Sequence, residues 1–442
     1  MNKFRFLSVV LATALGFALV SGVSNADIIE GITLERLGML NTRATGSRPL
    51  SMGGAFTAVS DDAFAMIYNP AGLAQVRRKE LSFGLLHAKN DITNRYVGYS
   101  AARSGSNTSL GHIAVVYPYP TYRGSLVLGF GVFNMGNSNL EYTKSGYWDD
   151  ISTRIENRFA QTGSIYQYRF AVGFDISPRI ALGGGLVIWD ESVDFTEEFI
   201  QEDPGSTSVF TDVVSMNLDG FSMEFGMMMK MTENIRAGVM ITTPQWLSYI
   251  GTGVEYYDGY YTAGGGWNLG PWSGDIDVEY TLPMKFAGGI SFNIEQLLVA
   301  ADVSYTDYSQ TKYNGLKLAN EMSRGTEVLD DTWNFNIGAE FTFPQFPVRV
   351  RGGYSYVPLS LPFVDEITYI VETPEEVFLE YIPEKYDLLK ERQFFTFGIG
   401  GLIDRVLTLE LGVVVGMYER ESPDLTEKRE TMEFTISGAY RF

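Results

Sequence analysis

The chain has 442 residues, no cysteine, only two histidines and a formal charge of −20, from 33 basic against 53 acidic side chains. These numbers exclude a disulfide framework and thiolate chemistry. They also argue against nucleic acid as a partner, because phosphate binding requires a basic patch. Aromatic residues reach 14% and glycines number 47, yet mean hydropathy is close to zero. Strands with one face in lipid and one in water produce this balance, since apolar and polar residues alternate and average out.

The first element is an export signal. Lys3 and Arg5 precede an apolar run over residues 6–20, and Ser24-Asn25-Ala26 closes the stretch as a small-x-small site. This predicts a signal peptide over 1–26, cleaved after Ala26. The apolar run is too short for a membrane helix, and nothing after it approaches the length a membrane helix needs. With no cysteine after the cut, the mature chain is not a lipoprotein.

Residues 27–78 form the second element and do not alternate. Met52-Gly53-Gly54-Ala55 permits close approach of backbones. Asp61-Asp62 suits the start of a short helical turn, and Asn69-Pro70-Ala71-Gly72 is a turn signal that ends it. A compact small-residue segment ahead of a barrel suits a plug packed in its lumen.

From residue 79 to 442 the strand period takes over. In 165–175, Tyr166, Tyr168, Phe170, Val172 and Phe174 oppose Gln167, Arg169, Ala171, Gly173 and Asp175. Strands are predicted at about 79–89, 108–119, 123–134, 163–176, 179–193, 211–230, 234–246, 274–292, 296–311, 330–344, 346–358, 391–403, 406–420 and 428–442. Tight connections alternate strictly with long ones, at 90–107, 135–162, 194–210, 247–273, 312–329 and 359–390. Short periplasmic turns and long outer loops give this alternation, and fourteen strands satisfy the even count of a closed barrel. The segment 94–102 also reads as strand, and parity assigns it to the first outer loop. The predicted fold is thus all-β, a transmembrane antiparallel barrel of about 14 strands with an N-terminal hatch in its lumen.

The block around Met52-Gly53-Gly54-Ala55 and Asn69-Pro70-Ala71-Gly72, following a signal peptide, resembles the hatch of the FadL family of outer-membrane transporters for long-chain fatty acids and other hydrophobic compounds. Later strands resemble the family more loosely, at 301–309 and 350–356. The resemblance implies a fourteen-stranded barrel, with Met52, Gly53, Gly54, Asn69, Pro70, Ala71 and Gly72 as hatch residues. It also implies passive uptake of a hydrophobic or amphiphilic molecule, without cofactor or metal. The same block resembles PorV-type barrels that serve protein secretion, so a docking role for secretion or surface proteins is the alternative.

Candidate ligand residues follow from side-chain direction. Alternation turns Arg169, Glu224, Arg236, Lys285, Asp302, Arg349, Arg351 and Glu410 inward. Arg349 and Arg351, Arg169 or Lys285 are candidates to pair with a fatty-acid carboxylate, an arginine by two parallel hydrogen bonds. The competing role is internal ion pairing that holds the hatch. The aromatic segment 247–273, with Tyr249, Tyr256, Tyr257, Tyr260, Trp267 and Trp272, reads as an outer loop where an amphiphile lands. His87 and His112, without a nucleophile motif, support no enzyme, and His112 reads as structural. Phe442 ends the chain as an aromatic signal for the barrel-assembly machinery, and outer-membrane lipid is the surrounding partner.

Overall fold

A computed structural model describes residues 46–96, 99–137, 139–148, 153–261, 264–314, 331–358, 364–372, 377–385, 387–421 and 425–442. The signal peptide 1–26 and residues 27–45 of the predicted plug lie outside them.

The alternation seen in the sequence becomes a closed antiparallel barrel. Its strands run from β1 (Glu80–Tyr96), β2 (Tyr99–Tyr119) and β3 (Leu126–Asn137) with β4 (Leu140–Trp148) through β5 (Thr153–Ser177), β6 (Ile180–Asp203) and β7 (Ser206–Lys230). Next come β8 (Ile235–Thr242), β9 (Gln245–Tyr261), β10 (Gly266–Leu282), β11 (Lys285–Ile294), β12 (Leu297–Thr306) and β13 (Lys312–Asn314). After β14 (Thr332–Thr342) and β15 (Val348–Tyr356), a separate hairpin of β16 (Val364–Glu372) and β17 (Val377–Lys385) precedes β18 (Asp387–Ile403), β19 (Leu407–Glu421) and β20 (Leu425–Arg441). β20 pairs with β1 from Arg441–Glu80 to Leu425–Tyr96 and closes the barrel.

Fourteen walls result from these eighteen strands, because four of the walls are interrupted. β8 and β9 both pair with β7, and β10 with β11 continues that wall's neighbour. The breaks fall at Pro244 and Pro283, where a missing N–H interrupts a ladder. β3 with β4 and β12 with β13 complete the set.

The predicted outer loops 90–107, 135–162, 194–210 and 247–273 are mostly strand instead. β1 and β2 pair as far as Tyr96–Tyr99, so residues 94–96 and 99–102 are the ends of those two strands rather than a loop or an extra strand. β5, at 25 residues, far exceeds the roughly 9–11 that cross a bilayer. Extending the ladder satisfies backbone groups that a long loop would have to leave to water. Of the remaining long connections, residues 315–330 fall outside the described residues.

Outside the barrel, apolar side chains lie open. Leu81 and Phe83 on β1 are each 48% exposed, Phe170 48%, Phe225 53% and Ile337 51%. Such a continuous apolar girdle belongs in hydrocarbon. At the edge where the chain ends, Lys79 lies over the rings of Tyr117 and Phe442, and the Phe442 N–H donates to Lys79 O at 3.0 Å.

Candidate functional site

Residues 46–76 fill the half of the lumen nearest the short turns, against Gly173, Gly183, Gly226 and Gly238. Helix α1 (Ser47–Ser51) touches β15, β18, β19 and β20, whereas α2 (Ala65–Tyr68) and the 3-10 turn Pro70–Gln75 touch β3, β5, β6 and β7. A short segment reaches both sides of a barrel only from inside it. Met52, Phe56, Asn69, Ala71 and Leu73 are fully buried.

The two sequence blocks sit on opposite glycine-lined stretches of wall. Gly53 takes φ +64, and a Cβ there would stand 2.6 Å from Tyr354 O. Its N–H donates to Thr396 Oγ1 at 3.0 Å, and the Phe56 and Thr57 N–H groups both donate to Asp302 Oδ2 at 2.7 Å. On the other side α2 stops at Tyr68, where Asn69 turns extended ahead of Pro70. Asn69 Nδ2 donates to Thr57 O at 3.0 Å and Met227 O at 3.1 Å, while its Oδ1 accepts from Ala71 N. Pro70 and Ala71 lie so close to Gly183 that any side chain there would collide with their backbone.

Between the blocks lies an ion network. The buried Arg48 donates to Glu340 at 2.9 Å and Asp62 at 3.0 Å, and also pairs with Asp61. Glu340 accepts again from Arg351 Nε at 2.6 Å, and Arg351 Nη2 reaches Glu410 at 2.9 Å. Burial pushes the Asp62 carboxyl up to about 7 against the pull of Arg48, with Asp61 adding to the rise. A second anchor is Arg169, whose Nη1 donates to Met66 O at 2.7 Å and Glu224 at 2.6 Å.

Above the hatch the lining is largely apolar, interrupted by the buried Gln161, Gln167, Glu191 and Glu255. Phe133, Ile165, Val187, Trp189, Val193, Met216, Leu218, Tyr249, Ile276 and Tyr280 are buried in one continuous cluster with the hatch residues Phe56 and Leu73. Each points inward by strand alternation, and a water-filled pore would instead carry polar side chains there.

A family model described as BamG matches residues 36–347, about seven-tenths of the chain. The chain belongs to the BamG family. No curated protein sequence matches this BamG-family chain significantly. Among solved structures, the P. putida toluene transporter TodX superposes with a TM-score of 0.63 at 14% identity, covering 91% of this chain and 99% of the other. The Ralstonia pickettii toluene transporter TbuX gives 0.60 at 16%, covering 91% and 99%. A Pseudomonas aeruginosa FadL homologue gives 0.58 at 14%, covering 90% and 98%. At such identities the fold is what is shared, and the FadL-type barrel implied by the hatch block is the fold observed.

The predicted residues of this BamG-family barrel fall unevenly. Arg351 has a side chain with no exposure; its Nε and Nη2 are paired with Glu340 and Glu410, and its Nη1 is buried without a partner. Arg169 is committed to Glu224, Gln167 and Met66. Arg349 is 37% exposed and 3.8 Å from Glu340. Lys285 lies inward beside the break at Pro283, facing Thr242 in register. Tyr249, expected in a landing loop, is fully buried and donates to Glu191 at 3.4 Å. Trp272 lies on β10 opposite Glu255 rather than in a loop, and Trp267 pairs with Gly259 on the same hairpin. Its side chain is outside the described residues. His112 is buried, bonded to Ser82 at 2.7 Å and edge-on to Phe64, a packing position. Sequence reasoning missed Arg48 and Glu340. The signal available was Arg48 in the same compact segment as Asp61-Asp62.

Proposed function

We propose that this barrel passes hydrophobic, uncharged small molecules across the outer membrane, with the hatch as the movable barrier. The observation that carries this reading is the continuous apolar lining from Tyr249 and Tyr280 down to Phe56 on the hatch. A greasy molecule exchanges water for that lining at about 25 cal/mol per Å² buried, without nucleotide or cofactor. The solved structures of like fold include transporters named for toluene, which is compatible with such cargo. Long-chain fatty acids fit less well, because a carboxylate at Arg351 or Arg169 would have to displace Glu340, Glu410 or Glu224 from its guanidinium. Proteoliposomes carrying the protein should accumulate a monoaromatic hydrocarbon faster than empty ones, and equal rates would reject the reading.

The arginines supply a sharper expectation. Arg349 and Arg351 both changed to Gln should leave discrimination between a fatty acid and its methyl ester unaltered. The double variant should instead lose stability, since Glu340 and Glu410 keep buried charges after Arg351 is gone. Removing one partner of a buried pair typically costs about 3–5 kcal/mol. Selective loss of acid binding, with stability intact, would restore a headgroup site.

The reading includes export by cleavage after Ala26 and assembly guided by Phe442. Deletion of Phe442 removes the contact with Lys79 at the closing seam. The yield of heat-modifiable barrel should fall, and an unchanged yield would remove Phe442 from assembly.

A second reading, docking of secretion or surface proteins, is favoured by one feature. The lumen is filled by a charge-locked hatch while β5, β6 and β7 run 24–25 residues, far past the belt. Absence of hydrocarbon uptake together with a specific cross-linked protein partner would select it.

A further inference from the structure

The apolar lining above the hatch contains a hydrogen-bond donor with no acceptor. Trp189 is 5% exposed, points inward on β6, and its indole Nε1 is buried without a partner. It stands two residues beyond Val187, which is in register with the hatch-anchoring Arg169. The donor therefore lies in the first inward row above the hatch. Buried polar groups almost always find a partner, so an orphan of this kind calls for a cause.

The neighbouring acceptors are taken. Gln167, across from Trp189 on β5, accepts from Arg169 Nε at 2.8 Å and from Arg169 Nη2. Glu191, the next inward residue on β6, accepts from the Tyr249 hydroxyl. On the other flank is Gly220, where a Cβ would meet Leu247 Cδ2 at 2.6 Å and Trp189 Cβ at 2.9 Å. The Trp246 carbonyl oxygen also stands 3.1 Å away, so of these neighbours only the end of the Leu247 side chain is free to turn aside. A guest can displace the Leu247 end by a change of rotamer, whereas the Pro70 and Ala71 backbone atoms over Gly183 offer no such movement. An all-carbon side chain would line an apolar passage equally well without an unmet donor.

We infer that Trp189 is a specificity residue of the lumen, whose indole N–H donates to an oxygen of the passing molecule. The class selected is a hydrophobic compound with one weakly polar acceptor, such as an aryl ketone or ester. The inference rests on the proposed passage of apolar molecules and names which of them the passage holds best. Neutral oxygen suits the position, because Glu191 beside it opposes a carboxylate and Arg169 below is already paired.

The test compares acetophenone with ethylbenzene, close in size and differing in the carbonyl. Both are titrated into wild-type protein and Trp189→Phe in lipid nanodiscs, and the carbonyl stretch of bound acetophenone is read by infrared difference spectroscopy. Wild-type protein should lower that stretch relative to acetophenone in hydrocarbon. The variant should lose the shift and about five-fold in ketone affinity, as expected for one neutral hydrogen bond, while ethylbenzene binds as before. An unshifted carbonyl in the wild type overturns the inference, and needs no variant to fold. Equal losses for both probes also overturn it, as they would assign Trp189 to packing. Failure of the wild type to bind either probe would instead defeat the passage itself.

Discussion

Glu340→Gln is expected to release the hatch while leaving the barrel closed. Glu340 is the carboxylate shared by Arg48 of the hatch and Arg351 of the wall, at 2.9 and 2.6 Å. Gln keeps the volume but accepts through one oxygen and carries no charge. Two buried guanidinium groups then share weaker neighbours, Asp61 and Asp62 on one side and Glu410 on the other. Both keep a partial partner, so the loss should fall at the lower end of the range for a broken buried pair, about 3 kcal/mol against hatch docking. The closing ladder between β20 and β1 does not involve this site, so heat-modifiable migration should persist. Amide exchange at Phe56 and Thr57, whose N–H groups rest on Asp302, should quicken by roughly two orders of magnitude. Unchanged exchange at these amides would show that the ion network does not hold the hatch. In the proposed passage, hydrocarbon uptake should rise in the same variant.

Gly183→Val should have a comparable effect by a purely steric route. Valine favours a strand, so the substitution suits β6 by local propensity. The obstacle is the hatch, since the added Cβ would run into the Pro70 carbonyl group and the Ala71 N–H. Those are backbone atoms of a turn fixed by Asn69 and cannot yield by changing a rotamer. Overpacking of this kind costs about 1–3 kcal/mol, and the hatch, being bound by side-chain contacts rather than by the strand ladder, is what gives way. Limited proteolysis within residues 46–76 should appear in the variant and be absent from the wild type. Resistance equal to wild type, with the barrel folded, would mean that the hatch shifts without losing its seat. Gly184, one residue on and facing outward, has no hatch atom near a built Cβ, and Gly184→Val is the matched control.

The contrast between these glycines marks where sequence reading stops. Alternation and the spacing of connections determined the barrel, its fourteen walls and the inward direction of Arg169, Asp302, Arg351 and Glu410, because the pleat fixes direction residue by residue. The hatch block was legible because Gly53-Gly54 admits positive φ and close backbone approach, while Pro70 fixes its own φ. Connection lengths were less legible. The long outer segments satisfy their backbone groups by pairing with one another, as β9 with β10 along 245–282, and pairing over such distances leaves little local mark. The roles of the inward charges were decided only in three dimensions. Arg351 is a wall residue with an ordinary alternating neighbourhood until Glu340, Glu410 and, 292 positions from Glu340, Arg48 converge on one point. Side-chain direction is a local property of a strand, whereas the partner a buried charge finds depends on how the whole barrel closes around its hatch.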